Sequence, residues 1–220
     1  MKPALPAIDP AREAGAAVPP GPLDFYFDFI SPYGYFALAQ IEAVAARHQR
    51  VLRWRPFHMR AVTREVLGMT QAMGDVPLKG PYVRQDVRRT ARWLGLPYAP
   101  APTAGFSSVV ASRFLCVVQD KHPQSAAAFA RAVFHSHHAL GRSPNTWDDC
   151  QGLAAQIGVP LDALNEAACA EPGRELFRAA TAAAVAQGVW GTPTFVVDGE
   201  MFWGSDRIAQ VDAWLEQGGW

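Results

Sequence analysis

The sequence predicts an α/β fold in which two groups of strands, one near each end of the chain, flank a long helical region. An aromatic strand pattern near the amino end is followed at once by an apolar helix pattern. Only helical patterns occur from about residue 58 to about residue 187, and two short strand patterns follow. The predicted order is therefore β-α-β, a helical block, and then β-β-α.

The first strand is predicted over residues 23–30, LDFYFDFI. Its aromatic residues alternate along the chain, so that Phe25, Phe27 and Phe29 share one face. Aromatic density and alternation of this kind favour a strand over a helix.

A helix follows directly, because Ser31 stands at an N-cap position and Pro32 at the first helical position. The apolar run over residues 35–46 continues it, and residues 51–57 predict a second strand. A strand, a helix and a strand within this length indicate a βαβ unit.

The middle of the chain is predicted to be entirely helical, with Gly and Pro residues separating the helices. The predicted helices cover residues 82–94, 107–119, 125–140, 148–157, 161–170 and 173–187. Strands return at residues 194–197 and 201–203. Asp198-Gly199 between them is a strong hairpin signal. A final amphipathic helix is predicted over residues 206–215.

Charge and composition exclude several classes of function. Lys plus Arg and Asp plus Glu both number 20 in the 220 residues, so we expect no nucleic-acid partner and no membrane-surface partner. No apolar run is long enough to span a bilayer. The Ala- and Pro-rich residues 1–22 predict a disordered tail. A transit peptide is the alternative reading, but Asp9 and Glu13 oppose it.

The three cysteines, Cys116, Cys150 and Cys169, form neither a close pair nor a metal-ligand spacing. We expect them to be small buried residues in a reducing compartment, and the protein to be cytoplasmic. His135 and His138 are spaced to share a metal ion, but no Cys or carboxylate completes the set, so no metal site is predicted.

The first candidate site is Ser31-Pro32-Tyr33-Gly34, at the carboxyl end of a strand and the start of a helix. Open α/β folds bind ligands at such positions, and a helix N-terminus favours an anion. A serine hydroxyl there can donate a hydrogen bond to a thiolate or an oxyanion. The alternative is that Ser31 only caps its helix.

The second candidate is Trp190-Gly191-Thr192-Pro193-Thr194-Phe195, in which a proline directly precedes a strand. Taken alone, this pattern indicates an ordinary trans proline at a strand entrance, because only a small fraction of X-Pro bonds are cis.

Together, these features resemble the DsbA-like thioredoxin superfamily. Within it they are similar to the 2-hydroxychromene-2-carboxylate isomerases and the related kappa-class glutathione transferases. The matching segments are DFISPYGYFAL (28–38), KGPYVRQDVRR (79–89) and GVWGTPTFVVDGEMFWGSDRI (188–208), and more loosely SSVVASR (107–113).

The resemblance implies a thioredoxin-like fold, DsbA-like, with a large all-helical insertion. The thioredoxin-like domain would comprise residues 23–57 and 188–220, and the insertion residues 58–187. Redox relatives carry a Cys-x-x-Cys pair where this chain has Ser31 and Gly34, so dithiol–disulfide exchange is excluded at this site.

The resemblance also implies glutathione as cofactor and Ser31 as the catalytic residue, which activates the glutathione sulfur. Thr192, before an expected cis-Pro193, would pair its backbone with the glutathione peptide. The remaining implied cofactor-binding residues flank these positions: Pro32, Trp190, Ser205 and Asp206. Ser205 and Asp206 would hold the γ-glutamyl end, because a helix N-terminus suits a carboxylate and Asp206 suits an ammonium group.

The expected substrate is a small aromatic carboxylate. Five residues are candidates for contacting it: Tyr33, Asp75, Lys79, Tyr82 and Arg84. The alternative to substrate contact is a structural role. The basic residues would then form a solvated helix face, and Tyr82 and Trp190 would pack as ordinary aromatic residues. Gly74-Asp75 replaces the Gly-Asn that is usual in the family. A carboxylate near the glutathione sulfur opposes ionisation of the thiol, unless the carboxylate points elsewhere or pairs with a cation.

Three functions are compatible with these patterns. The first is a glutathione-dependent isomerase of aromatic hydrocarbon catabolism, which would form trans-o-hydroxybenzylidenepyruvate by reversible thiolate addition. The second is a kappa-like glutathione transferase or peroxidase, which would consume glutathione. The third is a non-catalytic thioredoxin-like binding module. The family further suggests a homodimer.

Overall fold

The computed structural model describes residues 21–99 and 106–220. The first 20 residues of the predicted tail and residues 100–105 lie outside the described residues.

A mixed sheet forms the centre of the fold. In the described residues it has four strands in the order β2-β1-β3-β4. They are β1 (Leu23–Phe27), β2 (Leu52–Pro56), β3 (Thr194–Val197) and β4 (Glu200–Trp203). β1 pairs in parallel with β2 and antiparallel with β3, which is antiparallel to β4. The predicted α/β thioredoxin-like class is confirmed, with the sheet built from the two ends of the chain.

Helices surround this sheet. The α-helices are α1 (Pro32–Arg47), α2 (Met59–Ala61), α3 (Lys79–Trp93), α4 (Ser108–Lys121), α5 (Ala126–Phe134), α6 (Trp147–Gln156), α7 (Glu166–Ala186) and α8 (Ile208–Gln217). A π-helical segment, Val62–Val66, continues α2, and another, His135–Ala139, continues α5. Short 3-10 helices cover Met73–Asp75, Pro123–Ser125 and Ser205–Arg207.

The core on one face of the sheet is aromatic, as the strand pattern predicts. Phe25 stacks on Phe195 across the β1–β3 pair with ring centroids 5.6 Å apart. Phe27 lies 5.4 Å from Phe134 at the end of α5, and all four rings are fully buried. Burying such rings stabilises the contact between the sheet and the helical region by hydrophobic transfer and ring packing.

The prediction of two helices at 161–170 and 173–187 is wrong, because α7 runs unbroken through Pro172. Gly173 allows α7 to pack closely on α4 beside this proline. A Cβ built there would lie 3.3 Å from the Arg113 carbonyl oxygen and 3.3 Å from a Val117 methyl carbon. Close packing of α7 on α4 at this glycine compensates for the proline, so tertiary contact outweighs the local breaking signal.

Two local predictions are confirmed. Ser31 is the N-cap of α1, with Pro32 as its first helical residue. Asp198 and Gly199 have φ angles of 52° and 86° and connect β3 to β4. Positive φ at both central positions is what a two-residue hairpin turn of type I′ requires.

All three cysteines are buried and none forms a disulfide. Burial raises the pKa of the Cys116 and Cys150 thiols to about 12, so they are protonated. Among the described residues, no helix has the length and apolarity needed to cross a membrane.

Candidate functional site

Ser31 follows the carboxyl end of β1 and lies at the amino end of α1. The residue is buried, with 6% of its surface exposed. Its hydroxyl oxygen accepts a hydrogen bond from the Gly34 amide at 3.3 Å. Ser31 therefore does cap its helix. No described residue accepts the hydroxyl proton, so the same group can still donate to a ligand.

The loop before β3 lies beside this helix start. The Thr192–Pro193 peptide bond is cis, as the resemblance suggests. The Thr192 hydroxyl oxygen accepts from the Asp28 amide at 3.2 Å, and the Pro193 carbonyl accepts from the Gly204 amide at 2.9 Å. Within residues 21–99 and 106–220, the main-chain N–H and carbonyl of Thr192 have no hydrogen-bond partner.

Ser205 and Asp206 open the last helical region within a 3-10 turn that packs against α1. The Asp206 carboxylate forms an ion pair with the neighbouring Arg207 at 3.2 Å and is 72% exposed. A Cβ at Gly204 would lie 2.3 Å from Asp206 Oδ1, and its φ of 111° also requires glycine. The carboxylate thus folds back over Gly204.

Two tryptophans form an exposed pair beside the cis bond. Trp190 and Trp203 are 41% and 45% exposed, with ring centroids 4.1 Å apart. Exposed aromatic faces of this size suit contact with a flat organic group.

Tyr33 belongs to a hydrogen-bonded network between α1 and α3. Its hydroxyl donates to Asp86 at 2.7 Å, and Arg89 donates both to Asp86 and, at 3.2 Å, to the Tyr82 hydroxyl oxygen. Burial, together with the contact to Asp86, raises the pKa of Tyr33 well above its ordinary value. Burial alone would raise the pKa of Asp86, but its hydrogen bonds from Tyr33 and Arg89 outweigh burial and lower it. Tyr33 and Tyr82, both predicted from sequence, are thus brought together.

Asp75, Lys79 and Arg84 gather around the start of α3. The Arg84 guanidinium donates to the Gly74 carbonyl at 2.9 Å. Asp75 and Lys79 are exposed, and neither forms an ion pair within the described part of the chain. The structure therefore places these three on a common surface, but none of them contacts Ser31 through a hydrogen bond or ion pair in the described part of the chain.

Asp28 is a central residue that the sequence reasoning missed. Its carboxylate is 1% exposed and accepts from the Ile30 amide at 3.1 Å and from the Met59 amide at 3.0 Å. Burial raises its pKa, while a hydrogen bond from Ser108, the two amides and the nearby His58 act in the opposite direction.

The main chain of Asp28 also serves the site, because its carbonyl accepts from the Ser31 amide at 3.0 Å and its amide donates to Thr192. The available signal in the sequence is a carboxylate between Phe27 and Phe29, where the strand pattern is aromatic on both sides.

Two of the three histidines on the π-helical segment, His137 and His138, are buried polar residues. His138 pairs with the Phe29 carbonyl at 2.9 Å and His137 with the Ser143 hydroxyl at 2.9 Å, whereas His135 is exposed. Among the residues that the structure describes, no three His, Cys, Asp or Glu side chains are placed to hold a metal ion.

Comparison with known proteins identifies the family. A family model described as a DSBA-like thioredoxin domain matches residues 22–216. The chain belongs to the DsbA-like thioredoxin family.

Within this family the chain is similar to a curated 2-hydroxychromene-2-carboxylate isomerase of Sphingobium xenophagum, at 30% identity over 88% of this chain and 97% of that protein. It is 25% identical to a kappa 2 glutathione S-transferase of Caenorhabditis elegans, over 88% of this chain and 91% of the relative. A solved 2-hydroxychromene-2-carboxylate isomerase superposes with a TM-score of 0.77 at 22% identity, covering 89% and 94% of the two chains. The family resemblance and the fold are confirmed.

The candidate site of this DsbA-like protein has the groups that a peptide thiol needs. A thiol or thiolate needs a hydrogen-bond donor, which the Ser31 hydroxyl can supply. A peptide backbone needs a free N–H and a free carbonyl, which Thr192 has. These unfilled hydrogen-bonding groups fit glutathione.

Proposed function

We propose that the chain is a glutathione-dependent isomerase that converts 2-hydroxychromene-2-carboxylate, or a related aromatic carboxylate, to trans-o-hydroxybenzylidenepyruvate or its analogue. The observation that carries this proposal is the Ser31 hydroxyl, buried at the amino end of α1 with its proton unclaimed by any described residue. The names of relatives with nearly full coverage support it.

Four groups would hold glutathione. The Ser31 hydroxyl donates to the sulfur, and the Thr192 backbone pairs with the peptide by strand addition. Ser205 and Asp206 bind the γ-glutamyl end, where Asp206 exchanges its exposed pair with Arg207 for the ligand's ammonium group. Pro32, Trp190 and Pro193 form the apolar surface between these groups.

When bound, glutathione supplies the sulfur nucleophile that adds reversibly to a conjugated carbon of the substrate. The task of Ser31 and the α1 terminus is to stabilise the sulfur anion. A free thiol has a pKa of about 8.5, so only a few per cent is ionised near neutral pH. A hydroxyl donor and the helix dipole would lower that pKa by about one or two units, roughly 1.4 kcal/mol for each.

The substrate would lie between the glutathione site and α3. Tyr33 and Tyr82 present polar edges on one side, while Lys79 and Arg84 supply positive charge for a carboxylate. Asp75 is exposed, and on this proposal its carboxylate points to solvent, where it does not oppose the anion. The three buried thiols suit a reducing cytoplasm, and we expect a homodimer there.

The decisive experiment is a glutathione titration followed by thiolate absorbance, with Ser31→Ala beside wild type. Wild type should bind glutathione with a thiol pKa below its free value, and Ser31→Ala should lose this shift. Ser31→Thr keeps a hydroxyl and the helix cap, so it should retain part of the lowering of the thiol pKa. Ser125→Ala, a serine without a capping bond at the start of α5, is the matched control and should behave as wild type.

Turnover distinguishes the three candidate functions. An isomerase forms product while free glutathione stays constant, whereas a transferase or peroxidase consumes glutathione in proportion to product. Absence of binding by wild type would contradict both enzyme functions. Activity unchanged in Ser31→Ala would favour a binding module.

A further inference from the structure

A cavity lies outside the site residues that are predicted from the sequence. It has a volume of about 670 Å³ and lies between the α2 region, the first half of α4 and the second half of α7. Its principal lining residues are His58, Val62, Val109, Arg113, Phe177 and Thr181. His58 follows the carboxyl end of β2, so the cavity begins at the same edge of the sheet as Ser31.

The wall of this cavity is largely apolar. Val62 and Phe177 are 2% and 4% exposed, and the His58 ring lies 6.0 Å from the Phe177 ring. The Thr181 hydroxyl is already used, since it accepts from the His58 amide and donates to the Phe177 carbonyl. A ligand therefore meets hydrocarbon and ring surface over most of its area, which suits an aromatic or aliphatic skeleton.

Of the three arginines on the wall, Arg113 is the one without an ion pair among the described residues. Arg174 and Arg178 each pair with a glutamate one turn earlier on α7, and Glu65 is exposed. Arg113 forms no ion pair with any described carboxylate.

The Nε of Arg113 is moreover buried without a hydrogen-bond partner. An always-charged guanidinium with a buried, unsatisfied N–H is costly unless an anion completes it.

The burial of Arg113 follows from helix packing. Gly173 of α7 lies so close that a Cβ there would be 3.4 Å from the Arg113 Cβ. The base of the side chain is therefore fixed against α7, and Arg113 is one of the residues that line the cavity. A cation positioned in this way costs little additional ordering when it binds a carboxylate, and its planar fork matches two carboxylate oxygens.

We propose that this cavity binds a small apolar carboxylic acid, with the carboxylate on Arg113 and the hydrocarbon part against Val62, Val109 and Phe177. The site differs from the α3 surface that the sequence predicts for a substrate carboxylate.

This acid is a ligand additional to the substrate of the proposed function, whose carboxylate we place at Lys79 and Arg84. The cavity is connected to the Ser31 site through Asp28, whose carboxylate binds the Met59 amide and Ser108 beside two lining residues.

The test measures direct binding of 2-naphthoate by calorimetry on the full chain, with 2-naphthalenemethanol as the neutral analogue. Wild type should bind the carboxylate about tenfold or more tightly than the alcohol, as expected for a charge-assisted pair. Arg113→Gln should abolish this preference and leave alcohol binding unchanged, and Arg113→Lys should keep part of it. Arg142→Gln, which removes an exposed arginine outside the cavity, should behave as wild type.

Two further measurements keep the outcome clear. Val109→Phe reduces the space without touching charge and should weaken both probes, and circular dichroism verifies that each variant is folded. Equal affinity for the two probes in wild type, or a carboxylate preference that survives Arg113→Gln, would overturn the proposal.

Glutathione is titrated in parallel. Naphthoate binding that depends on Arg113, without glutathione binding, upholds the cavity and refutes the proposed function. Glutathione binding without naphthoate binding refutes the cavity proposal and leaves the proposed glutathione site intact.

Discussion

The amide of Asp28 donates a hydrogen bond to the Thr192 hydroxyl oxygen over 3.2 Å, and this bond joins segments that are 164 residues apart in the chain. The bond fixes the loop before β3 to the end of β1, three residues before Ser31. Because the Asp28 amide lies in a buried strand end, its partner cannot easily be replaced by water.

Replacing Thr192 with Val should therefore destabilise the fold. The valine keeps the shape of threonine but removes the acceptor, so a buried N–H is left unsatisfied at a cost of about 1–3 kcal/mol. Urea unfolding measures the loss, and Thr192→Ser, which retains the hydroxyl, should recover most of it. Equal stability of the Val and Ser variants would show that the bond is unimportant.

Asp28 should contribute through its own carboxylate as well. Asp28→Asn leaves one of the donors that converge on the carboxylate without an acceptor, and we expect a loss of about 1–3 kcal/mol at neutral pH. Glutathione affinity should fall too, since this residue positions both Ser31 and Thr192. Asp162→Asn, which changes an exposed carboxylate, is the control and should have little effect.

The stability difference between wild type and Asp28→Asn should depend on pH with a defined sign. Burial raises the pKa of Asp28 in the folded state, so the folded chain takes up this proton more readily than the unfolded chain. The cost of the ionised form is present above the folded pKa and is relieved as pH falls from there towards the ordinary value of 3.8. The stability difference between wild type and Asp28→Asn should therefore widen in that window. A constant difference would contradict the raised pKa.

His138 should make stability fall in mild acid. Burial lowers its pKa to about 3, from an ordinary value of 6.5, so the unfolded chain binds a proton that the folded chain refuses. Between pH 7 and pH 5 this difference should lower the free energy of unfolding by about 2 kcal/mol. His138→Gln keeps a donor for the Phe29 carbonyl but does not titrate, so its stability should fall less over this range.

The control for this experiment lies on the same segment. His135 is exposed, and His135→Gln should lose as much stability in acid as wild type does. Urea unfolding curves at the two pH values measure all three proteins. Because the contribution of Asp28 is the same in each, it cancels in the comparison. An acid-induced loss in His138→Gln as large as that of wild type would refute the role of His138.

The parts of the fold that could be predicted from the sequence are those with local physical causes. Ser31 and Pro32 start α1 because a hydroxyl cap and a fixed φ act within one turn. Asp198-Gly199 makes the hairpin because its two positive φ angles are a property of the turn itself. The break predicted near Pro172 failed because a contact with α4, remote in sequence, decides the outcome.

The candidate site divides in the same way. Ser31 and Pro193 were identifiable because they lie in a recognisable motif, and the cis bond before Pro193 is confirmed. Asp28 and Arg113 were missed because their distinguishing features depend on residues far along the chain. Asp28 has hydrogen-bond partners there, and Arg113 has no ion-pair partner in the described part of the chain. Asp28 finds its partners on α2 and α4, and Arg113 finds none among the described carboxylates. Charge pairing of this kind becomes visible only when the helices are packed.

A pair of glycine substitutions tests whether the Trp190–Trp203 pair depends on the close approach of the loop. A Cβ at Gly191 would lie 2.4 Å from Trp203 Nε1, so Gly191→Ala should push this ring away and separate the pair. Since aromatic pairs contribute about 0.5–1.5 kcal/mol beyond area burial, we expect a stability loss of that order and a changed near-ultraviolet circular dichroism spectrum. Gly152→Ala meets nothing within 4 Å inside α6 and should instead stabilise the protein by up to about 1 kcal/mol, with the tryptophan signal unchanged. An unaltered tryptophan spectrum in Gly191→Ala would mean that the loop, rather than the ring, gives way.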